Sequence, residues 1–377
     1  MRQPITEPLN LLLWADRAET AQQTLQTHFW NQEQGIMNQY APCGGTCNDP
    51  YVYWWHAHTL DVLVDGLIRT GDARYTQLIG ETFEGARLLN EGTLLHNWYD
   101  DMQWMALALL RAYRATGERR YLDGARELWA DIQGGWNDHC GGGIAWKKDQ
   151  LDYKNTPANA PAAILAARLY GVLGDGADLD WAKRIYAWNK AHLVDAQTGF
   201  VWDGMNRLGD GQLEDGWHFT YNQGAYLGAA LALFEVTGEE AYLRDALRTA
   251  DAAQTRLTDA SSGLLPYEGD GDGGLFKGIL VRYLALLVQA VNRPEVVALL
   301  RHNAEVLWQA GRDPDSGLMG LTWNERPQGC VSLSGQQSAV MLLEAAATLE
   351  RQGLLSQHQQ ASGGSLTATS GSPYLVV

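Results

Sequence analysis

Two consecutive carboxylates, Asp100 and Asp101, stand among aromatics in the stretch His96-Asn97-Trp98-Tyr99-Asp100-Asp101-Met102-Gln103-Trp104. Like charges disfavour joint ionisation, so one member of such a pair keeps its proton to higher pH than the other. That asymmetry suits one carboxyl to proton transfer and the other to nucleophilic attack. The competing reading is helix capping, because an Asp at a helix start satisfies free backbone N–H groups. Tyr99 and Trp104 add flat faces on which a substrate ring can stack.

Five further polar stretches have the same character. Cys140-Gly-Gly-Gly-Ile-Ala-Trp146 is glycine-rich, which permits tight turns or a close approach of backbone to a ligand. It lacks the Gly-Lys-Ser/Thr ending of a phosphate loop. Lys154-Asn155-Thr156-Pro157-Ala158-Asn159 offers neutral groups in Asn155, Thr156 and Asn159 that suit hydroxyls, or equally helix caps. Asp203, in Val201-Trp202-Asp203-Gly204, is a turn residue or a grip for sugar hydroxyls, and Thr220-Tyr221-Asn222-Gln223-Gly224 follows it. In Leu275-Phe276-Lys277-Gly278, a lysine enters an apolar helix, which calls for a partner and suggests pairing with the acidic site.

Metal signals are weak. Cys43-x3-Cys47 with His56 and His58 fits no common zinc spacing. Glu268-Gly-Asp270-Gly-Asp272-Gly resembles the start of a calcium loop, but its twelfth position is Ile279, so it reads as an acidic turn. Neither a metal nor a cofactor is expected.

Composition narrows the substrate. The chain of 377 residues has a formal net charge of −16 and no basic cluster of the kind a nucleic-acid backbone needs. An acidic surface also disfavours anionic substrates and suits a neutral one such as a sugar. With 15 Trp and 16 Tyr against 6 Phe, the aromatics favour residues with a polar handle, as sugar stacking does, although core packing accounts for many of them. The 4 cysteines do not read as a disulfide framework. No apolar run approaches the length of a membrane span. The N-terminal stretch has neither a basic region nor a small-residue cleavage site, so the chain as written is expected to be cytoplasmic, or secreted if a leader was removed.

These stretches need elements to position them, and the chain supplies a repeated helical hairpin. Trp104–Thr116 has apolar residues at spacings of three and four and ends at Gly117, and a second amphipathic segment follows over Tyr121–Trp129. The unit returns as Leu60–Thr70 with Gly71 and Tyr75, as Ala162–Leu173 with Gly174 and Trp181–His192, and as Tyr226–Thr237 with Gly238 and Tyr242. A looser copy runs Ile279–Val291 and Val296–Gln309, and the last helix, Gln336–Arg351, finds its partner in the first, Leu9–Trp30. Uneven spacing argues against an open solenoid, and pairing of the two chain ends argues for closure. The expected fold is all-α: an (α/α)6 barrel of about twelve helices in six hairpins, one domain over residues 1–360. A polar tail expected to be disordered follows over 361–377. Each polar stretch falls just before an inner helix, at one end of the ring, where loops on a rigid scaffold carry function.

The ordered set Tyr99-Asp100-Asp101 with Trp104, Cys140-Gly-Gly-Gly with Trp146, Lys154-Asn155-Thr156, Tyr221-Asn222-Gln223-Gly224 and Phe276-Lys277-Gly278 resembles glycoside hydrolase family 76, the α-1,6-mannanases. The resemblance runs from about Trp54 to Gln336. It implies an (α/α)6 barrel and retaining, metal-free endo-hydrolysis of α-1,6-mannosidic bonds in mannan or manno-oligosaccharides. It implies Asp100 as nucleophile and Asp101 as general acid/base. Tyr99, Trp104, Trp146, Asn155, Thr156, Asp203, Tyr221, Asn222, Gln223 and Lys277 are then candidate substrate contacts. Two alternatives stand beside it. A sugar epimerase of the N-acylglucosamine type on a similar ring would use histidine pairs, and His56, His58, His96 and His218 are available. A glycan-binding scaffold would keep the aromatic cleft without turnover.

Overall fold

The computed structural model describes residues 12–355, so the expected tail over 361–377 lies outside the described residues. Twelve α-helices alternate between two rings. The outer helices are α1 (Leu13–Phe29), α3 (Ala73–Leu89), α5 (Arg119–Gln133), α7 (Gly176–Leu193), α9 (Glu240–Leu257) and α11 (Pro294–Val306). The inner helices are α2 (Tyr53–Thr70), α4 (Tyr99–Thr116), α6 (Thr156–Leu173), α8 (Thr220–Thr237), α10 (Gly273–Ala290) and α12 (Leu333–Arg351). Each inner helix packs on the next, and α12 packs on both α2 and α1, so the two ends of the chain close the ring. This is the (α/α)6 barrel the hairpin pattern predicts.

A repeated local device ends four of the six inner helices. Gly71, Gly117, Gly174 and Gly238 adopt left-handed φ values of 68°, 75°, 73° and 69°. That conformation costs a side-chain-bearing residue energy but not glycine. In three of the four turns a threonine precedes the glycine. The Thr70, Thr116 and Thr237 hydroxyls each donate to the carbonyl four residues back and accept from the N–H two residues on. The core is continuous between the rings, and inner helices such as α6, α8 and α10 are buried almost all round. α10 is long and apolar enough to cross a membrane, but 78% of that stretch is buried inside the ring.

Three differences from expectation bear on the site. The inner helices begin about one turn earlier than their apolar periodicity shows: α4 starts at Tyr99, not Trp104, and α12 at Leu333, not Gln336. The first turn of α4 carries Asp100 and Asp101 on the cavity wall, and that of α12 is spent on polar bonds such as that from the Met319 N–H to Gln336, so both are polar and the period does not register. Short strands also appear at the mouth. β1 (Trp30–Asn31) pairs with β2 (Ile36–Met37), and β3 (Tyr40–Ala41) with β7 (Val331–Ser332). The antiparallel sheet β4 (Ala145–Lys147), β5 (Gln150–Asn155), β6 (Gly204–Met205) frames one side of the opening. Finally, Cys43 and Cys47 form a disulfide in the loop ahead of α2, where the cysteine count suggested no framework. It is one local bridge, and Cys140 and Cys330 are free.

Candidate active site

The inner helices open onto a cavity of about 350 Å³. Asp100 and Asp101 lie on its wall in the first turn of α4, with Trp104 one turn deeper. The N-cap position is Trp98, which makes no side-chain capping bond, so neither aspartate is the cap. Their carboxylates still sit at the positive end of the helix dipole.

The two carboxyls have different partners. Asp100 Oδ1 accepts the Asp101 backbone N–H at 3.0 Å, and its Oδ2 accepts the Trp146 indole N–H at 3.0 Å. Asp101 Oδ2 lies 3.3 Å from His96 Nδ1. Burial, with the Asp101 charge beside it, pushes the Asp100 carboxyl well above the usual carboxylate range, while the two N–H donors pull it back. Burial also raises Asp101, opposed by His96 and reinforced by the charge of Asp272. Two like-charged groups this confined oppose each other's ionisation.

Among the sequence-derived candidates, Asp100, Asp101, Trp104, Trp146 and Tyr221 line the cavity. The others serve the scaffold around it. Tyr99 turns away from the cavity, against Gly135 and the Lys148 ammonium. Asn155 caps α6, accepting the Ala158 N–H at 3.1 Å. Thr156 Oγ1 donates to the Trp202 carbonyl at 2.7 Å, tying α6 to the loop that carries Asp203. Gln223 exchanges two bonds with the Val201 backbone, at 2.9 and 2.7 Å. Asp203 is buried and accepts from Tyr153 at 3.1 Å, Tyr221 at 3.2 Å and Asn222 at 2.9 Å. It therefore holds Tyr221, whose ring stacks on Phe276 at 3.9 Å in the cavity wall.

Lys277 corrects an expectation. It does not reach the acidic pair. Its Nζ donates to the Leu321 carbonyl at 2.5 Å and lies 4.3 Å over the Trp323 ring. Burial lowers its pKa to about 8, against the attraction of Glu268. Glu268 in turn braces the start of α8, accepting from Thr220 N–H at 2.7 Å and Oγ1 at 2.5 Å. The glycine-rich loop makes turns against protein. A Cβ on Gly143 would stand 2.8 Å from the Trp188 ring, and the Gly143 carbonyl accepts from buried Lys154 at 2.7 Å.

Several lining residues were not among the candidate contacts: Tyr51, Trp54, Trp98, Asp272 and Phe276, with His96 weighed only for another chemistry. Asp272, from the acidic turn, opens α10, and its Oδ1 accepts both the Trp54 and Trp55 indoles at 2.9 and 2.8 Å. Among the described residues no group of three or more His, Cys, Asp or Glu could hold a metal ion. The histidine pair of an epimerase is not assembled either. His56 and His58 are buried, with their pKa values lowered by that burial, and His218 is exposed beside the Asp215 carbonyl. Of the four histidines only His96 lines the cavity.

Below the floor set by Trp104, the barrel axis is closed by ions. Arg111 bonds Asp61 and Asp65, and Arg282 reaches Asp61 at 3.1 Å and Asp65 at 2.6 Å. Burial alone would raise the Asp61 carboxyl, but the Arg111 and Arg282 guanidiniums hold it well below its ordinary value.

Comparison with known proteins gives a consistent picture. The chain matches glycosyl hydrolase family 76 over residues 13–358. It is similar to the Lin0763 protein of Listeria innocua (38% identity, TM-score 0.85, 92% of this chain and 99% of that one). It is also similar to the GH76A α-1,6-mannanase of Salegentibacter sp. HEL1_6 (42% identity, TM-score 0.84, 89% of this chain and 99% of that one). A form of that mannanase with two consecutive aspartates changed to alanine is inactive, and its structure holds α-1,6-mannotetrose. The mannan endo-1,6-α-mannosidase DCW1 of Saccharomyces cerevisiae is 26% identical over 337 residues, covering 81% of this chain and 74% of its own. A family match that runs through the whole ring, from the first outer helix to the last inner one, leaves one assignment: the chain belongs to glycosyl hydrolase family 76.

Proposed function

We propose that the protein hydrolyses α-1,6-mannosidic bonds in mannan or manno-oligosaccharides with retention, Asp100 acting as nucleophile and Asp101 as general acid/base. The observation that carries this reading is the pair itself. Asp100-Asp101 is the one Asp-Asp dipeptide in the sequence, it stands in the aromatic cavity, and its members have unlike partners. The similar Salegentibacter enzyme is inactive when two consecutive aspartates are removed.

Asp100 is held at both oxygens by N–H donors, which suits an acceptor-only carboxylate aimed at a carbon. In the first step an Asp100 oxygen bonds to the anomeric carbon as the glycosidic C–O bond breaks, and Asp101 gives its proton to the departing oxygen. In the second, Asp101 takes a proton from water. The water oxygen bonds to the anomeric carbon, and the bond to Asp100 breaks. Trp54, Trp98 and the Tyr221–Phe276 stack supply flat faces for sugar rings around the reacting one.

Incubation with α-1,6-mannotetraose, followed by proton NMR of the new reducing end, tests the reading. The first-formed product is the α-anomer, and Asp100→Asn or Asp101→Asn lowers the rate by about 10²–10⁴. Release of the β-anomer first, or full activity in either variant, defeats it.

A further inference from the structure

His96 lines the cavity but has no part in the chemistry described so far. Its ring is clamped. It lies parallel to Tyr53 at 4.7 Å with an interplanar angle of 8°, and against Trp98 at 5.1 Å. Tyr53 is itself fixed: it is buried, and its hydroxyl donates to the Leu94 carbonyl at 2.7 Å. The imidazole cannot swing without leaving that stack. The clamp sets Nδ1 at 3.3 Å from Asp101 Oδ2, within reach but without the alignment of a hydrogen bond, and this buried nitrogen has no hydrogen-bonding partner among the described residues. A neutral imidazole carries one N–H, and beside a carboxylate oxygen the favoured tautomer places it on Nδ1.

Resting on the hydrolase reading above, the geometry points to His96 as the positioning residue of the acid/base carboxyl: its unpartnered Nδ1–H stands within reach of Asp101 Oδ2 and closes onto it when Asp101 is presented to the leaving oxygen. The groups around Asp101 give this contact its consequence. Asp100 adjoins it on α4, and Asp272 faces it from α10 and opposes its ionisation. From the start of α2 come the Tyr51 and Tyr53 phenols, which burial holds neutral. The Lys147 ammonium lies over the Trp98 ring at 5.8 Å but pairs with Asp149 at 3.2 Å. His96 is thus the neighbour that favours the ionised form of Asp101 against burial and the charge of Asp272. Without it the carboxyl would hold its proton too tightly to give it up readily in the first step.

The test uses the whole chain carrying carboxyl-¹³C aspartate, with the Asp101 signal identified by its loss in Asp101→Asn. His96→Phe keeps a flat ring against Tyr53 and removes the donor. His96→Gln carries its donor where Nε2 stood, and His96→Asn carries one close to Nδ1. The Asp101 titration should rise by about one pH unit in His96→Phe and His96→Gln, and return to within about 0.3 of wild type in His96→Asn. With α-1,6-mannotetraose, the alkaline limb of kcat/KM should move up by the same amount. At neutral pH kcat should fall about tenfold, with KM within about twofold. An unmoved titration in both His96→Phe and His96→Gln overturns the role of His96. Failure of the wild type to cleave the tetrasaccharide overturns the hydrolase reading instead, and the titration, which needs no substrate, still decides for or against His96.

Discussion

Trp146→Phe isolates one hydrogen bond to the proposed nucleophile. The indole N–H donates to Asp100 Oδ2 at 3.0 Å, and the other oxygen keeps its own donor, the Asp101 N–H. Phenylalanine retains a ring in the wall that packs edge-on against Tyr153, now at 5.7 Å. A hydrogen bond to a charged acceptor contributes about 1.5–3 kcal/mol. At about 1.4 kcal/mol per pH unit, its loss strengthens proton binding by Asp100 by about one to two pH units. The sign is fixed by the role. A nucleophile must be ionised, burial and the Asp101 charge already raise this carboxyl, and the indole opposes them. The acid limb of kcat/KM should therefore move to higher pH by about one to two units. The rate on the acid side should fall about 10- to 100-fold and recover in part as pH rises. Reducing-end release from α-1,6-mannotetraose between pH 4 and about 9 measures this, about five pH units being enough to define both limbs. An acid limb that stays in place, with loss uniform across pH, would show that the indole is only wall and that Asp100 does not act as the ionised partner.

Two further outcomes follow from the scaffold. Lys277→Met should leave kcat/KM within about twofold, since its ammonium serves Leu321 and Trp323 rather than substrate. Burial sets its folded pKa at about 8, below the 10.5 of a free lysine. The wild type should thus gain stability as pH rises between those values, where the unfolded chain still binds the proton, and the methionine variant should lose that gain in urea titrations against pH. A tenfold fall in activity would return Lys277 to the site. Arg282→Met takes one guanidinium away from Asp61 and Asp65, and should cost about 3–5 kcal/mol in chemical denaturation. An unchanged midpoint would show that the axial ion cluster adds nothing to stability.

The ring was legible because its signals are local and repeated. Thr-Gly endings at Gly71, Gly117 and Gly238 mark where inner helices stop, and a glycine in left-handed conformation at each confirms them. The pairing of α12 with α1 followed from an odd helix at either end of the chain. What sequence could not show was direction. Asn155, Thr156, Asn159 and Gln223 have the side chains of hydroxyl-binding residues, yet each is spent on nearby backbone: Asn155 on its own helix end, Thr156 on Trp202, Asn159 on Ile144, Gln223 on Val201. Composition does not distinguish a polar group facing sugar from one closing a loop, because both meet the same demand for a partner when buried.

The residues that were missed share a different cause. Trp54, His96 and Asp272 come from three segments far apart in the chain, and they matter through one another: Asp272 fixes the Trp54 indole, and Asp101 meets both His96 and the field of Asp272. A pair of adjacent aspartates can be seen in a line of text. The environment that gives its two members unlike proton affinities is assembled only when α2, α4 and α10 bring their first turns to one mouth. The capping reading of Asp100 and Asp101 fails on that geometry, because Trp98 occupies the cap position and the carboxyls turn toward an indole and an imidazole. The helix start still contributes: its free N–H groups and dipole favour the anion of Asp100, so the structural role that competed with catalysis becomes part of what stabilises the nucleophile.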